Sequence, residues 1–222
     1  MSHSLLHHRG QMSEAFRTVM FLSASGGLQD AYTYIGRGKV FANAQTGNIV
    51  LMSQSLFEGD FSRFAHYFIP VLSFALGVAA AECIRLRWRE ARQLVLLAEI
   101  VLLFVVGFFP AAWDMGANAL VSFACAMQVQ AFRKVHGYPF ASTMCIGNLR
   151  SGMDSLVAFG HTRDKSLLYK ALHYFGVILV FALGAGVGTQ CVAVLGAKTI
   201  WLSCALLAVS LCFMFIKEDL ED

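Results

Sequence analysis

The chain is short of charge. Only 14% of its 222 residues are Asp, Glu, Lys or Arg, against roughly 25% in soluble domains, and that scarcity excludes an ordinary water-facing surface. The six cysteines, Cys83, Cys125, Cys145, Cys191, Cys204 and Cys212, form no CxxC pair and no Cys/His ligand spacing. They read as small buried packing residues, not as metal or redox centres. There is no GxSxG, HExxH or Walker-type loop, and GAGVG at 184–188 lies inside an apolar run where a phosphate loop would need a preceding strand. No catalytic constellation emerges, so an enzyme is not expected, nor is a cofactor or a metal. The first fourteen residues, MSHSLLHHRGQMSE, lack a compact apolar segment followed by a small-residue cleavage site, and no removable signal peptide is expected. The net charge of +3 is modest; the basic residues mark orientation, not nucleic acid.

What the chain does have is apolar length. It is 57% hydrophobic with 19 Phe, and apolar runs lie at about 16–35, 64–86, 93–112, 117–135, 170–192 and 198–216. Each approaches the roughly 20 residues that cross a bilayer as helix. The expected fold class is an all-α polytopic membrane protein with short loops.

The chain also repeats itself. At a shift of 100 residues, Ala24, Ala31, Gly47, Asn48, Ser55 and Leu56 fall on Ala124, Ala131, Gly147, Asn148, Ser155 and Leu156. Further on, HYFIPVLSFALG at 66–77 lies over HYFGVILVFALG at 173–184, a shift of 107. The seven extra residues fit the polar stretch FGHTRDKSLLYK, where a loop absorbs them. The expected organisation is a polar N-terminal tail, 1–13, and two membrane repeats, 14–112 and 115–217, in one integrated domain. Each repeat holds three long helices and one short element containing Gly-Asn. From Thr46 to Phe57 the first short element is too brief to cross a bilayer at 1.5 Å per residue, which predicts a re-entrant or broken helix.

Lys and Arg test the topology. The Arg-rich loop RLRWREAR, 85–92, is expected in the cytoplasm. With both Gly-Asn elements re-entrant, six crossings place Arg9, Arg17, Arg85, Arg87, Arg89, Arg92, Arg133, Lys134, Arg163, Lys165, Lys170 and Lys217 inside and Arg37, Lys39, Arg63 and Lys198 outside, 12 against 4. With both elements spanning, the division is nine against seven. Six crossings are preferred. Three crossings per half then insert the halves upside down relative to each other, with both termini cytoplasmic.

Backbone that leaves helical geometry at membrane depth survives only where protein or a wet cavity surrounds it. Gly47 and Gly147 permit unusual backbone or close approaches, and Thr46, Asn48 and Asn148 can cap freed amides. Two short helices entering from opposite faces bring their N-termini together near the midplane, a volume suited to a small polar or anionic solute. The expected lining is Gln29, Asp30, Asn43, Thr46, Gly47, Asn48, Gln128, Gln130, Thr143, Gly147, Asn148 and Arg150. Asp30 is either a proton-coupling carboxyl or an interfacial capping group. Arg150 reaches solute or pairs with Asp154 one turn on. Glu99, two turns from the Arg-rich loop, reads as interfacial. His66 and His173 read as interfacial packing, since inverted halves would hold them at opposite faces. Gly77 with Ala81 and Gly184 with Gly188 read as small residues that let helices approach.

The segment GGLQDAYTYIGRGKVFANAQTGNIV, 26–50, resembles the first signature of the YoaK-like family of bacterial inner-membrane proteins, a domain of unknown function. Gly26, Gly27, Asp30, Ala31, Phe41, Thr46, Gly47 and Asn48 carry the resemblance, which spans nearly the whole chain. The second half matches through Thr143, Gly147, Asn148 and Leu149, and departs at Ile146, where the pattern has threonine. The resemblance implies a multi-pass bacterial inner-membrane location.

Three functions follow. The first is a small secondary transporter or facilitator. The second is a non-transporting membrane partner or sensor, and the third an enzyme acting on lipid. The expected partners are the lipid bilayer and a small polar solute, and a homodimer is compatible with so small a bundle.

Overall fold

The computed structural model describes residues 2–88, 91–132, 134–135, 138–139, 143 and 145–218, with side-chain surroundings for 16–88, 91–132, 143 and 145–214. Arg89 and Arg133, counted in the topology above, lie outside the described residues. Eight α-helices are found among them: α1 (Ser2–Gly36), α2 (Gln45–Phe57), α3 (Phe61–Arg87), α4 (Ala91–Val106), α5 (Asp114–Ala131), α6 (Cys145–Thr162), α7 (Lys165–Leu195) and α8 (Ile200–Glu218). A two-residue antiparallel ladder, β1 (Lys134–Val135) with β2 (Tyr138–Pro139), lies in the chain between α5 and α6.

Local chemistry sets the boundaries. Asp60 caps α3 by accepting from the Arg63 N–H at 2.9 Å, and Asp164 caps α7 by accepting from the Ser166 N–H at 2.9 Å. The same Ser166 N–H and O–H hold the exposed Asp164 carboxyl below its ordinary value. Each cap follows a reversal in the left-handed region, at Gly59 (φ 75°) and at Arg163 (φ 57°). Glycine takes that conformation freely, whereas Arg163 is held there against its preference.

The packing order interleaves the two halves of the chain. α1 lies mainly against α7 and then α8, while α5 lies mainly against α3 and then α4. The short helices α2 and α6 rest on α3 and α7, and α4 meets α8. Two crossings bring backbone against backbone. A Cβ at Gly27 would collide with the Phe181 carbonyl, and one at Gly184 with the Ala24 carbonyl, so glycine is what lets α1 and α7 close. Gly77 does the same for α3 against the Phe123 carbonyl of α5.

The polarity runs inside out. Buried positions include Ser23, Ser25, Gln29, Asp30, Thr33, Glu99, Asn118, Ser122, Gln128 and Ser203, while Leu72, Leu76, Leu97, Val101, Leu179, Leu183 and Val187 face outward. Among the described residues, two stretches are long and apolar enough to cross a bilayer, Phe61–Arg87 and Lys165–Met214, and only 22% and 17% of an apolar 18-residue window in each is buried. An apolar core helix of a soluble protein would be mostly buried, so these faces suit lipid. The chain is a membrane-like helical protein. An apolar cluster of Leu22, Tyr32, Leu96, Leu103, Val121, Ile200 and Leu207 joins α1, α4, α5 and α8 at the centre.

Several details differ from expectation. The two Gly-Asn helices are unequal, 13 residues in α2 and 18 in α6, so α6 reaches roughly 27 Å where α2 reaches roughly 20 Å. Helix α1 continues through the polar N-terminal residues from Ser2. Of the six free cysteines only Cys125 and Cys204 are buried; Cys83 and Cys212 are exposed, where a small apolar thiol on an outward helix face incurs little cost.

Candidate functional site

Ser25, Gln29 and Asp30 are buried polar residues on one stretch of α1. Four-residue spacing puts Ser25 and Gln29 on one helix face, and Gln29 Nε2 donates to Ser25 Oγ at 2.9 Å. The same nitrogen lies 3.2 Å from Glu99 Oε1 on α4, and Gln29 Oε1 accepts from the Cys125 thiol on α5. Ser25 Oγ and Ser203 Oγ of α8 are hydrogen-bonded at 2.9 Å. One glutamine thus ties four helices together through a chain of hydrogen bonds in a dry interior, where each is stronger than in water and each loss is costly.

Asp30 faces a different side. Its Oδ1 accepts from the backbone N–H of Asn43 at 2.8 Å, in the loop before α2. Asn43 Nδ2 returns to α1, donating to the Gly26 carbonyl at 3.2 Å. Thr143, in the loop before α6, packs its methyl on that same Gly26 so closely that a Cβ there would collide with it. Asn43 and Thr143 occupy equivalent positions at the repeat shift of 100. The loops leading into the two short helices therefore meet at one glycine. Asn43 Oδ1 and Thr143 Oγ1 are both buried and bond nothing among the described residues.

Asn48 serves the turn itself. Its Oδ1 accepts from the Phe41 N–H at 3.1 Å, and its Nδ2 donates to the Phe41 carbonyl at 2.7 Å and to Gln45 Oε1 at 2.8 Å. This side-chain amide mimics a strand partner for Phe41 and fastens the loop to α2. The first Ncap residue is Ala44, without a side-chain hydrogen bond, so the expected capping of α2 by Thr46 or Asn48 is replaced by this clasp. Gly47 lies against the Phe41 ring, where a Cβ would stand 3.1 Å from Cδ2.

The remaining expected residues are dispersed. Gln128 is buried and its Nε2 lies 3.4 Å from the Leu22 carbonyl, below the cluster. Gln130 Nε2 donates to Glu82 Oε2 at 2.6 Å on α3. Asn148 is buried, whereas Thr46 and Gly147 are exposed. Arg150 is exposed and sits 4.0 Å from Asp154, as its i,i+4 spacing suggested. Hence Asp30, Asn43 and Thr143 come together at Gly26, Gln29 anchors the separate hub on the other side of α1, and Thr46, Gln130, Gly147 and Arg150 join neither.

Glu99 belongs to the Gln29 network although its sequence position suggests only an interfacial group. Its side chain is fully buried among the helices. The signal was a lone acid inside LVLLAEIVLLF, where an ionisable side chain is costly unless its surroundings are polar. Ser203 and Cys125 carried no comparable signal. At the opposite end of α1, Arg37 is also buried. Its guanidinium donates to Tyr32 Oη at 2.8 Å, Asp114 Oδ1 at 2.7 Å and the Phe109 carbonyl at 2.8 Å, clamping α1 to the linker between the halves.

A family pattern described as a protein of unknown function, DUF1275, matches residues 18–213. The chain belongs to the DUF1275 family. That membership is consistent with the YoaK-like resemblance of residues 26–50. Neither the curated proteins nor the solved structures contain a match to it. The DUF1275 match covers α2 to α7 and most of α1 and α8, so the Gly26 junction and the glutamine hub both fall within the family's own span.

Proposed function

We propose that this protein is a small secondary transporter or facilitator that binds a small polar solute where the loops before α2 and α6 meet α1. The observation that carries the reading is the junction at Gly26, where repeat-equivalent Asn43 and Thr143 meet and each keeps a buried, unbonded oxygen, on the helix whose Asp30 accepts the Asn43 N–H. Buried polar atoms without partners cost stability, and a polar ligand that bonds them recovers that cost.

The packing order supports a construction from two equivalent halves, which we read as inverted relative to each other in a bacterial inner membrane. Exchanging α1 with α5, α2 with α6, α3 with α7 and α4 with α8 carries the α1–α7 contact onto α5–α3, and the α1–α8 contact onto α5–α4. Gly184 on Ala24 has its counterpart in Gly77 on Phe123. In such a construction each half contributes one short helix to a site at mid-depth, and relative rocking opens it alternately to the two faces. Six crossings with both termini cytoplasmic complete the reading.

Reconstitution into liposomes tests it. Uptake of radiolabelled small polar solutes above protein-free liposomes, reduced by Thr143→Val in folded protein, is the expected result. No uptake of any solute in a broad panel, from protein shown to be folded, would favour a membrane partner or sensor instead.

A further inference from the structure

We infer that the site at Gly26 is built for a primary ammonium group, a small monovalent cation with three N–H donors, and not for an anion. The inference rests on the transporter reading and narrows its solute. A short helix N-terminus ordinarily favours negative charge. Here the protein supplies that charge itself, because the Asp30 carboxylate already accepts the Asn43 N–H in the approach to α2. Asp30 takes part in no ion pair among the described residues. Arg37, the buried guanidinium of the same helix, is turned to Asp114, Phe109 and Pro110 instead. A second anion would meet Asp30 in a low-dielectric interior, where like charges repel strongly.

Of the groups left to bind a ligand, the Asp30 carboxylate and Asn43 Oδ1 only accept, and the Thr143 hydroxyl can accept as well as donate. Asn43 Oδ1 cannot donate. Thr143 is 6% exposed and its Oγ1 bonds nothing among the described residues. A carboxylate holds about four acceptor positions, and the backbone N–H groups of Ala42 and Asn43 with the Asn43 side chain fill up to three of them, leaving Asp30 one for a ligand. Carboxylate, amide oxygen and hydroxyl together match the three donors of an alkylammonium. A bare alkali ion would need a fuller oxygen shell than these three groups offer.

Methylammonium is the probe. Thermal unfolding of the purified full chain in detergent is compared in methylammonium chloride, sodium chloride and sodium phosphate at one ionic strength. Near a hundredfold excess over Kd, methylammonium is expected to raise Tm by about 5 °C or more over sodium. Asp30→Asn is expected to abolish the shift. Should that variant fail to fold, Thr143→Val, which removes a hydroxyl that bonds nothing among the described residues, is expected to reduce the shift at least threefold. Stabilisation by phosphate instead overturns the ammonium inference and leaves the transporter reading intact. Equal Tm in all three salts also overturns it, and the liposome panel then judges transport independently. A methylammonium shift that survives both substitutions places the cation elsewhere and overturns the site.

Discussion

Gln29 of α1 and Glu99 of α4 meet 3.2 Å apart in the interior, amide nitrogen to carboxylate oxygen. Both are fully buried, so the pair behaves as part of the core. Replacing Gln29 by Leu removes the donor to Glu99 and Ser25 and the acceptor for Cys125 at one stroke. The expected cost is about 1–3 kcal/mol, read as loss of thermal or denaturant stability in detergent. Glu99→Leu made on top of it is expected to cost less than it does alone, with a coupling of roughly 0.5–3 kcal/mol in a double-mutant cycle. Strict additivity would mean that the two side chains do not share one network.

The glycines of α7 separate close packing from lipid exposure. Gly184 faces the Ala24 carbonyl, whereas Gly186, two residues on, has open space where a Cβ would go. Gly184→Ala is expected to force α1 and α7 apart and to cost about 1–3 kcal/mol. Gly186→Ala is expected to be neutral or slightly stabilising, since alanine suits a helix interior better. Equal effects of the two substitutions on Tm would show that the α1–α7 crossing is looser than its backbone contacts imply.

How far these relationships could be read in advance depended on periodicity. Shifts of 100 and 107 residues start α6 where α2 starts and lay α7 over α3 to within a few residues, because a repeated sequence must bury a repeated face. Which helix packs on which was not legible. Gly184 can close on any small partner, and only the three-dimensional exchange brings it to Ala24. The site divided along the same line. Asp30 and Asn43 lie 13 residues apart in one signature and were read together, but their hydrogen bond depends on how the loop after Arg37 folds back. Glu99 was judged by its distance from the Arg-rich loop, and a distance along the helix says nothing about which way the side chain turns. Asn48 was read as ligand-facing, whereas its amide is occupied by Phe41.

Arg37 should prove irreplaceable by lysine. Its fork reaches Tyr32, Asp114 and two carbonyls at once, and a single ammonium cannot span them. Arg37→Lys is expected to lose about 2 kcal/mol of stability, and Arg37→Gln at least as much, because Asp114 and the carbonyls of Phe109 and Pro110 are left without their donor. The side chain is buried, so the wild-type contribution should hold from low to high salt, unlike a surface pair. Loss of stability in salt to the level of Arg37→Gln would show that water reaches the clamp.

The six-crossing topology is decided by two loops. If α2 and α6 are both re-entrant, the turn between α2 and α3 and the turn between α6 and α7 lie on opposite sides of the membrane. Ser62 at the start of α3 and His161 at the end of α6 are exposed beside these turns, so Ser62→Cys and His161→Cys place labels there without disturbing the core. Cys83 and Cys212 are exposed in the wild type and must first be replaced by serine. A membrane-impermeant maleimide added to intact spheroplasts is expected to label residue 62, on the face away from the Arg-rich loop, and to leave residue 161 unlabelled until the cells are opened. Labelling of both from outside would remove the inverted arrangement. The two short helices would then enter from one face, and the meeting of Asn43 and Thr143 at Gly26 would have to be explained without alternating access.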